Sequence, residues 1–289
     1  MPDTDSTTAQ LRSIRHVALD MDGTLYRGRT VFPFAKAALE LLTGAGIGYT
    51  LLTNNSSLSV ADYLRKLAGM DLAVKSDQLH TSTQATIAYL AAEHPGATCW
   101  YVLGTPSMCD EVRTAGIEVL SARSCQDPSA EPDGVLVGFD TSLSYESLCR
   151  AAYWISRGKL FVATHPDRVC PSDEATLRVD CGAICAALES ATGRAPDAVL
   201  GKPHPHMLAG IFARHGLTAR ELAVVGDRLY TDVEMARRAG AMGVLVLTGE
   251  ATRHMAESSP VRPDMIVQDV WEFAQLLTAA ERRNRPECS

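Results

Sequence analysis

The chain has 289 residues, of which 46% are apolar and 21% charged, and its net charge is −7. The length predicts two domains, the acidic balance argues against a nucleic-acid backbone as partner, and no run approaches the roughly 18 apolar residues that a membrane-crossing helix needs. Met1 to Gln10 is polar, with neither a basic start nor an apolar stretch, so it reads as a short disordered tail and not as a signal peptide; a cytoplasmic protein is expected. Eight cysteines occur without a C-x-x-C, and seven (Cys99, Cys109, Cys125, Cys149, Cys170, Cys181, Cys185) fall in the middle third, where reduced and mostly buried thiols are expected.

Ile14 to Asp20 is an apolar run ending in acids, Ala35 to Leu42 is helical, and Ile47 to Leu52 is a second apolar run, which together make a βαβ unit. Helical stretches follow at Val60 to Leu67 and Ser82 to Ala92, the latter closed by His94-Pro95-Gly96. A second α/β module begins at Cys99. Its strands are expected at Cys99 to Leu103, Gly134 to Gly138 and Leu160 to Thr164, with helices at Met108 to Ala115, Tyr145 to Ser156 and Gly182 to Ser190. The first pattern then resumes with Val199-Leu200, helix Pro205 to His215, strand Leu222 to Gly226, helix Asp232 to Ala239 and strand Val244 to Leu247. A weak strand, Asp264 to Val267, precedes helix Trp271 to Ala280 and the polar tail Glu281 to Ser289. Strands alternating with helices imply a parallel sheet covered on both faces, a doubly wound α/β core of three layers. The expected division is a core of residues 1–96 and 195–289 with an inserted α/β domain at 97–194.

Chemistry-bearing residues gather at four expected strand ends. Asp20-Met21-Asp22-Gly23 closes the first strand, where open parallel sheets place their ligand sites, and residues two apart on a strand face the same way. Leu52-Thr53-Asn54-Asn55-Ser56 turns a buried strand into a loop with a hydroxyl and N–H groups suited to phosphate oxygens, although Ser57 or Ser59 there serves equally as a helix N-cap. Gly201-Lys202-Pro203 puts a lysine between a short strand and a helix. Gly226-Asp227-Arg228-Leu229-Tyr230-Thr231-Asp232 ends a strand with two acids; Asp232 is also placed to be an N-cap, whereas Asp227 is not.

In this order the four motifs resemble the joint signature of the haloacid-dehalogenase-like hydrolases, and the likeness spans residues 14 to 280. The resemblance implies a Rossmann-like core and a phosphatase working through an aspartyl-phosphate, with Asp20 as nucleophile and Asp22 as general acid and later base. It implies magnesium held by Asp20 and Asp227 with the Asp22 carbonyl, Asp232 orienting metal-bound water, and a phosphate met by Lys202, Thr53 and the Asn54 and Asn55 N–H groups. Only 30 residues separate Asp22 from Thr53, against 147 positions from Asn55 to Lys202, so the insert lies between the second and third motifs. That placement resembles subfamily IIA with a C2-type cap, the group of NagD-type nucleotide, p-nitrophenyl, pyridoxal phosphate and phosphoglycolate phosphatases. The implied partner is a small phosphorylated metabolite, with neither nucleic acid nor membrane, and cap-mediated homodimers are common in the group. Thr164-His165-Pro166-Asp167 resembles a Thr-Asn-Pro-Asp stretch of the subfamily, which makes His165 an expected substrate contact, with Gly182 near a position where a small residue is usual.

Competing readings are weaker. Gly44-Ala45-Gly46-Ile47-Gly48 follows a helix and precedes a strand, the reverse of a dinucleotide fingerprint. Halide needs no proton donor on leaving, so the Asp22 carboxyl favours a phosphate ester over a haloalkane. The cap's place disfavours a sugar phosphomutase. A zinc site from His165, Cys170, Cys181 and Cys185 matches no common spacing, and His204 and His206 read as a helix start. A catalytically idle fold that senses a phosphorylated ligand is the remaining alternative.

Overall fold

The computed structural model describes residues 4–121, 130–171 and 176–282. Cys125 and the end of the polar tail lie outside these. The chain divides into two compact units, Met1–Leu52 with Leu67–Leu79 and Leu208–Ser289, and Thr53–Lys66 with His80–Met207.

A six-stranded sheet organises the first unit. Its strands run in the order Met265–Val267, Met242–Val246, Leu222–Gly226, His16–Asp20, Gly48–Thr53 and Leu79–Thr81. Numbered along the chain this is the doubly wound order 3-2-1-4-5-6, and the ladders joining the first five strands are all parallel. Helices flank it, so the central strands are buried on both faces: Val17, Ala18, Leu19, Leu51, Leu52, Val224 and Val225 are wholly inaccessible. The order reverses between His16–Asp20 and Leu222–Gly226. Three stretches depart from the sequence reading. Val199, expected to resume the core pattern, pairs with Ala163 in the sheet of the second unit, because Leu160–Ala163 offers it an open parallel edge. The supposed N-terminal tail contains helix Thr4–Ser13, which packs against helix Val270–Arg282 and buries Leu11. The expected helix Asp232 to Ala239 is split into a π turn, Leu229–Val233, and a short α-helix, Glu234–Ala239.

The second unit has its own five-stranded parallel sheet, in the order Ala198–Val199, Leu160–Ala163, Gly134–Val137, Cys99–Leu103 and Glu118–Leu120. One face carries Tyr101, Val135, Phe161, Ile155 and Ile184, the other Trp100, Leu136, Val162, Met108 and Val112. Helix Ser82–Glu93 joins this unit because Leu90 and Ile87 pack into the Trp100 face. The six described cysteines Cys99, Cys109, Cys149, Cys170, Cys181 and Cys185 are free thiols. Among the described residues no helix is long and apolar enough to cross a membrane.

Candidate active site

Asp20 is the last residue of its strand, registered with Leu52 on one neighbour, while Leu19 pairs Val225 on the other. Asp227 follows the end of that second neighbour, Leu222–Gly226, so both acids emerge where the strand order reverses. Asp232 comes back to them through the π turn: Val233 N–H reaches the Arg228 carbonyl at 3.3 Å, the widened turn that brings the Asp232 side chain inside at 1% exposure. It caps nothing. The α-helix after it starts from Val233 without a side-chain cap, which removes the N-cap reading.

Asp20, Asp227 and Asp232 each offer a carboxylate oxygen within 4.8 Å of the others. At that spacing each pair of carboxylates repels by about 3 kcal/mol or more at an effective dielectric of about 20. Part of the compensation is local: Arg228, itself partly desolvated, feels Asp227 and Asp20. Its Nε lies 2.9 Å from Glu250 Oε2. The Asp22 carboxyl is outside this group. Asp227 is held hard. Glu250 N–H donates to its Oδ2 at 2.7 Å, and a Cβ placed on Gly249 or Gly23 would lie 1.9 or 2.4 Å from that same oxygen. Gly23 also has φ +85°, a region few other residues enter. The Gly23 carbonyl accepts from Thr248 Oγ1, so the turn after Asp22 and the Thr248-Gly249-Glu250 loop form one cradle. The donor set fits a hard divalent cation: the three side chains supply oxygen only, and their convergence in a buried crevice is costly without added positive charge. Among the described residues it is also the one cluster of three or more metal-ligating side chains; His165, Cys170, Cys181 and Cys185 do not gather as one.

The remaining candidates fall in the second unit. Thr53 ends its strand with 9% exposure, and its Oγ1 accepts from Asn55 N–H at 3.1 Å. Asn54 is clamped onto Lys202: its Oδ1 accepts Lys202 N–H at 2.7 Å, and its Nδ2 donates to the Lys202 carbonyl and to Asp167 Oδ2, both at 3.0 Å. Lys202 is thereby fixed by its backbone and buried to 4% exposure. Asn55 turns the chain, its Oδ1 accepting from Ser57 N–H at 2.9 Å and its Nδ2 pointing to Cys170 Sγ at 3.6 Å. Ser59 does cap the next helix, accepting from Asp62 N–H, so the loop serves as a cap and presents Thr53 and Asn54 as well.

His165 departs from its expected part. It has no exposed surface, Nε2 lies 2.9 Å from Asp180 Oδ1, and Nδ1 lies 2.8 Å from Thr164 Oγ1. Both ring nitrogens are thus spent inside their own unit and not on a substrate. Burial lowers its pKa, but Cys181 and the Asp180 hydrogen bond and charge outweigh that and push it up to about 9. Asp180, absent from the sequence candidates, anchors it while capping helix Cys181–Thr192. Gly182 needs to be small, since a Cβ there would meet the Pro166 carbonyl at 2.1 Å. His204 and His206 stack on each other at the start of helix His206–His215, as a helix entry.

Residues 17–118 match the family model described as haloacid dehalogenase-like hydrolase, and residues 199–273 match a HAD-hydrolase-like model. The chain is 30% identical over 261 residues to the ribonucleotide monophosphatase NagD of Escherichia coli K12, covering 90% of this chain and 98% of that one. The crystal structure of a 4-nitrophenylphosphatase from Thermotoga maritima superposes with a TM-score of 0.85 at 38% identity, over 92% of this chain and 98% of the other. A glycerol phosphate phosphatase from Mycobacterium tuberculosis, solved in complex with magnesium, superposes with a TM-score of 0.80 at 29% identity, over 93% and 77%. With a doubly wound sheet, acids at its switch point and relatives matched nearly end to end, the chain belongs to the haloacid dehalogenase-like hydrolases, in their NagD-like branch.

Proposed function

We propose that the chain is a magnesium-dependent phosphatase that hydrolyses small-molecule phosphate monoesters through a phospho-aspartate on Asp20. The carrying observation is the convergence of Asp20, Asp227 and Asp232 within 4.8 Å at the switch point of the six-stranded sheet. The relatives support the reaction class, since their names describe action on ribonucleotide monophosphates, 4-nitrophenyl phosphate and glycerol phosphate.

Asp20, Asp227 and Asp232, with the carbonyl of Asp22, would hold the ion, which supplies charge that offsets the repulsion between an anionic nucleophile and an anionic ester. An Asp20 carboxylate oxygen forms a bond to phosphorus while the ester oxygen leaves, taking a proton from Asp22. Asp22, now a carboxylate, removes a proton from the water that cleaves the acyl phosphate and frees inorganic phosphate. Lys202 and Thr53 bind the phosphoryl oxygens. Asn54 acts one step removed, by locking the Lys202 backbone. The inserted unit, built on the five-stranded sheet from Cys99 to Val199, carries substrate choice.

The test is phosphate release by the purified chain from p-nitrophenyl phosphate and from a panel of nucleoside monophosphates, sugar phosphates, pyridoxal phosphate and phosphoglycolate. Turnover that needs magnesium and stops with a chelator is expected. A chain that releases no phosphate from any of them, with or without divalent ions, would sink the proposal.

A further inference from the structure

The five-stranded sheet of the second unit has a switch point of its own. Counted along the chain, its strands stand in the order 2-1-3-4-5, so the direction of winding reverses between Cys99–Leu103 and Gly134–Val137. Open parallel sheets bind ligands outside the carboxyl ends of the strands at such a reversal, and the six-stranded sheet gathers its acids at the equivalent place. A cavity of about 220 Å³ opens at this point, walled by Leu103, Pro106 and Cys109 on one side and by Asp140, Ser142 and Arg113 among its polar groups. Thr53, Asn54, Asn55, His165 and Lys202 take no part in lining it.

The chemistry of its walls is specific. Asp140 is more than nine-tenths buried, and its Oδ1 accepts from both the N–H and the hydroxyl of Ser142, at 2.9 and 2.6 Å. Its Oδ2 makes no hydrogen bond to another described residue and is open to the crevice that Asp140 lines. A ligand hydroxyl that enters the crevice can donate to it. Arg113 pairs with Asp110 through one nitrogen, at 2.8 Å, which leaves its other N–H groups for an anion. Helices Pro106–Thr114 and Tyr145–Ser156 both begin at the crevice, and their positive ends favour the same sign of charge. The volume lies below the roughly 300–1,000 Å³ of pockets for drug-sized ligands, so a small metabolite is the fitting occupant.

We propose that this crevice is a small-molecule binding site of the inserted unit, taking a hydroxylated phosphate ester of pentose phosphate size whose hydroxyl donates to Asp140 Oδ2 and whose phosphate meets Arg113. Leu103 and Pro106 cover the carbon face of the sugar. The site is separate from turnover, and its occupant is an effector and not the ester being cleaved.

Calorimetric titration of ribose 5-phosphate into the full-length Asp20→Asn chain tests this, because that variant cannot consume the probe. Binding is expected to weaken at least tenfold when Asp140→Asn or Arg113→Gln is added, the loss of one charge-assisted contact. Asp140→Asn keeps an acceptor for Ser142, and Arg113 is a surface residue, so both variants should fold. In the otherwise unaltered chain both should leave p-nitrophenyl phosphate turnover unchanged when no ribose 5-phosphate is present. No detectable binding at millimolar probe, or binding that both substitutions leave intact, would overturn the proposal.

Discussion

Gly249→Ala is a small change with a large expected effect on metal use. The added Cβ would stand 1.9 Å from Asp227 Oδ2 and 2.4 Å from its Cγ, whereas ordinary contacts begin at 3.4 Å. The carboxylate or its loop must therefore shift by roughly 1.5 Å, far more than the narrow tolerance of magnesium, which demands near-octahedral oxygen ligands at about 2.0–2.1 Å. The Glu250 N–H that orients the same oxygen moves with the loop. Disturbing an outer-shell contact of this kind typically weakens metal binding about 10–100-fold, so the magnesium concentration for half-maximal turnover of p-nitrophenyl phosphate should rise by that factor. Overpacking should cost about 1–3 kcal/mol of stability, which circular dichroism melting would register while leaving the fold in place. Gly44→Ala is the matched control, since a Cβ there meets no atom within 4 Å. A Gly249→Ala chain that melts cooperatively yet shows the parent's magnesium dependence would refute the idea that Asp227 is a tightly cradled ligand.

Asp20→Asn should abolish turnover while preserving the melting profile; residual activity above a few per cent would remove Asp20 as nucleophile. Asn54→Leu keeps the volume but strips three hydrogen bonds, leaving the Lys202 N–H and carbonyl without their partner, at about 1–3 kcal/mol for each buried group. Its melting temperature should fall and its KM for p-nitrophenyl phosphate rise as Lys202 loosens, and an unchanged KM would separate Asn54 from that role. Glu111 is held protonated up to about 7 because burial raises its pKa, assisted by Asp62 and opposed by the Val60 N–H. The unfolded carboxyl releases its proton near 4.5. The folded state thus binds that proton more tightly, and stability drains away as pH rises from 4.5 through 7 and then levels off. Glu111→Gln should accordingly stabilise by about 1–3 kcal/mol at pH 8 and by little at pH 4, and equal melting shifts at both pH values would contradict this.

The core strands were legible because a strand buried on both faces reads as an unbroken apolar run, as in Val17–Leu19 and Leu222–Val225. The edge strands Leu79–Thr81 and Glu118–Leu120 were not, being three residues each, too few to show a period. Helix Thr4–Ser13 escaped notice because its stability comes from a helix some 260 positions away, and its own residues are polar. Asp20, Asp227 and Lys202 stood out since each is a charged residue at the end of an apolar stretch. Asn54 looked like a phosphate-loop amide; its actual partners, Lys202 and Asp167, are remote in sequence and nothing local points to them. His165 misled for the same reason, as only the fold reveals that Asp180 waits beside it. The glycines at 23 and 249 were present in the sequence, but their tight approach to Asp227 is a property of packing.

The strand order of the six-stranded sheet bears on how the chain is made. His16–Asp20 sits in the middle of that sheet, with one edge satisfied by Gly48–Thr53 soon after synthesis and the other by Leu222–Gly226, some 200 residues later. At about 5–20 residues per second, a ribosome leaves that second edge open for roughly 10–40 s. The five-stranded sheet has no such delay, since all its strands lie within one continuous stretch from Cys99 to Val199. Translation therefore favours an order in which the inserted unit closes first, and the chain's own N-terminal strand spends that interval as an apolar template for stray pairing, the period in which a nascent-chain chaperone has most to protect.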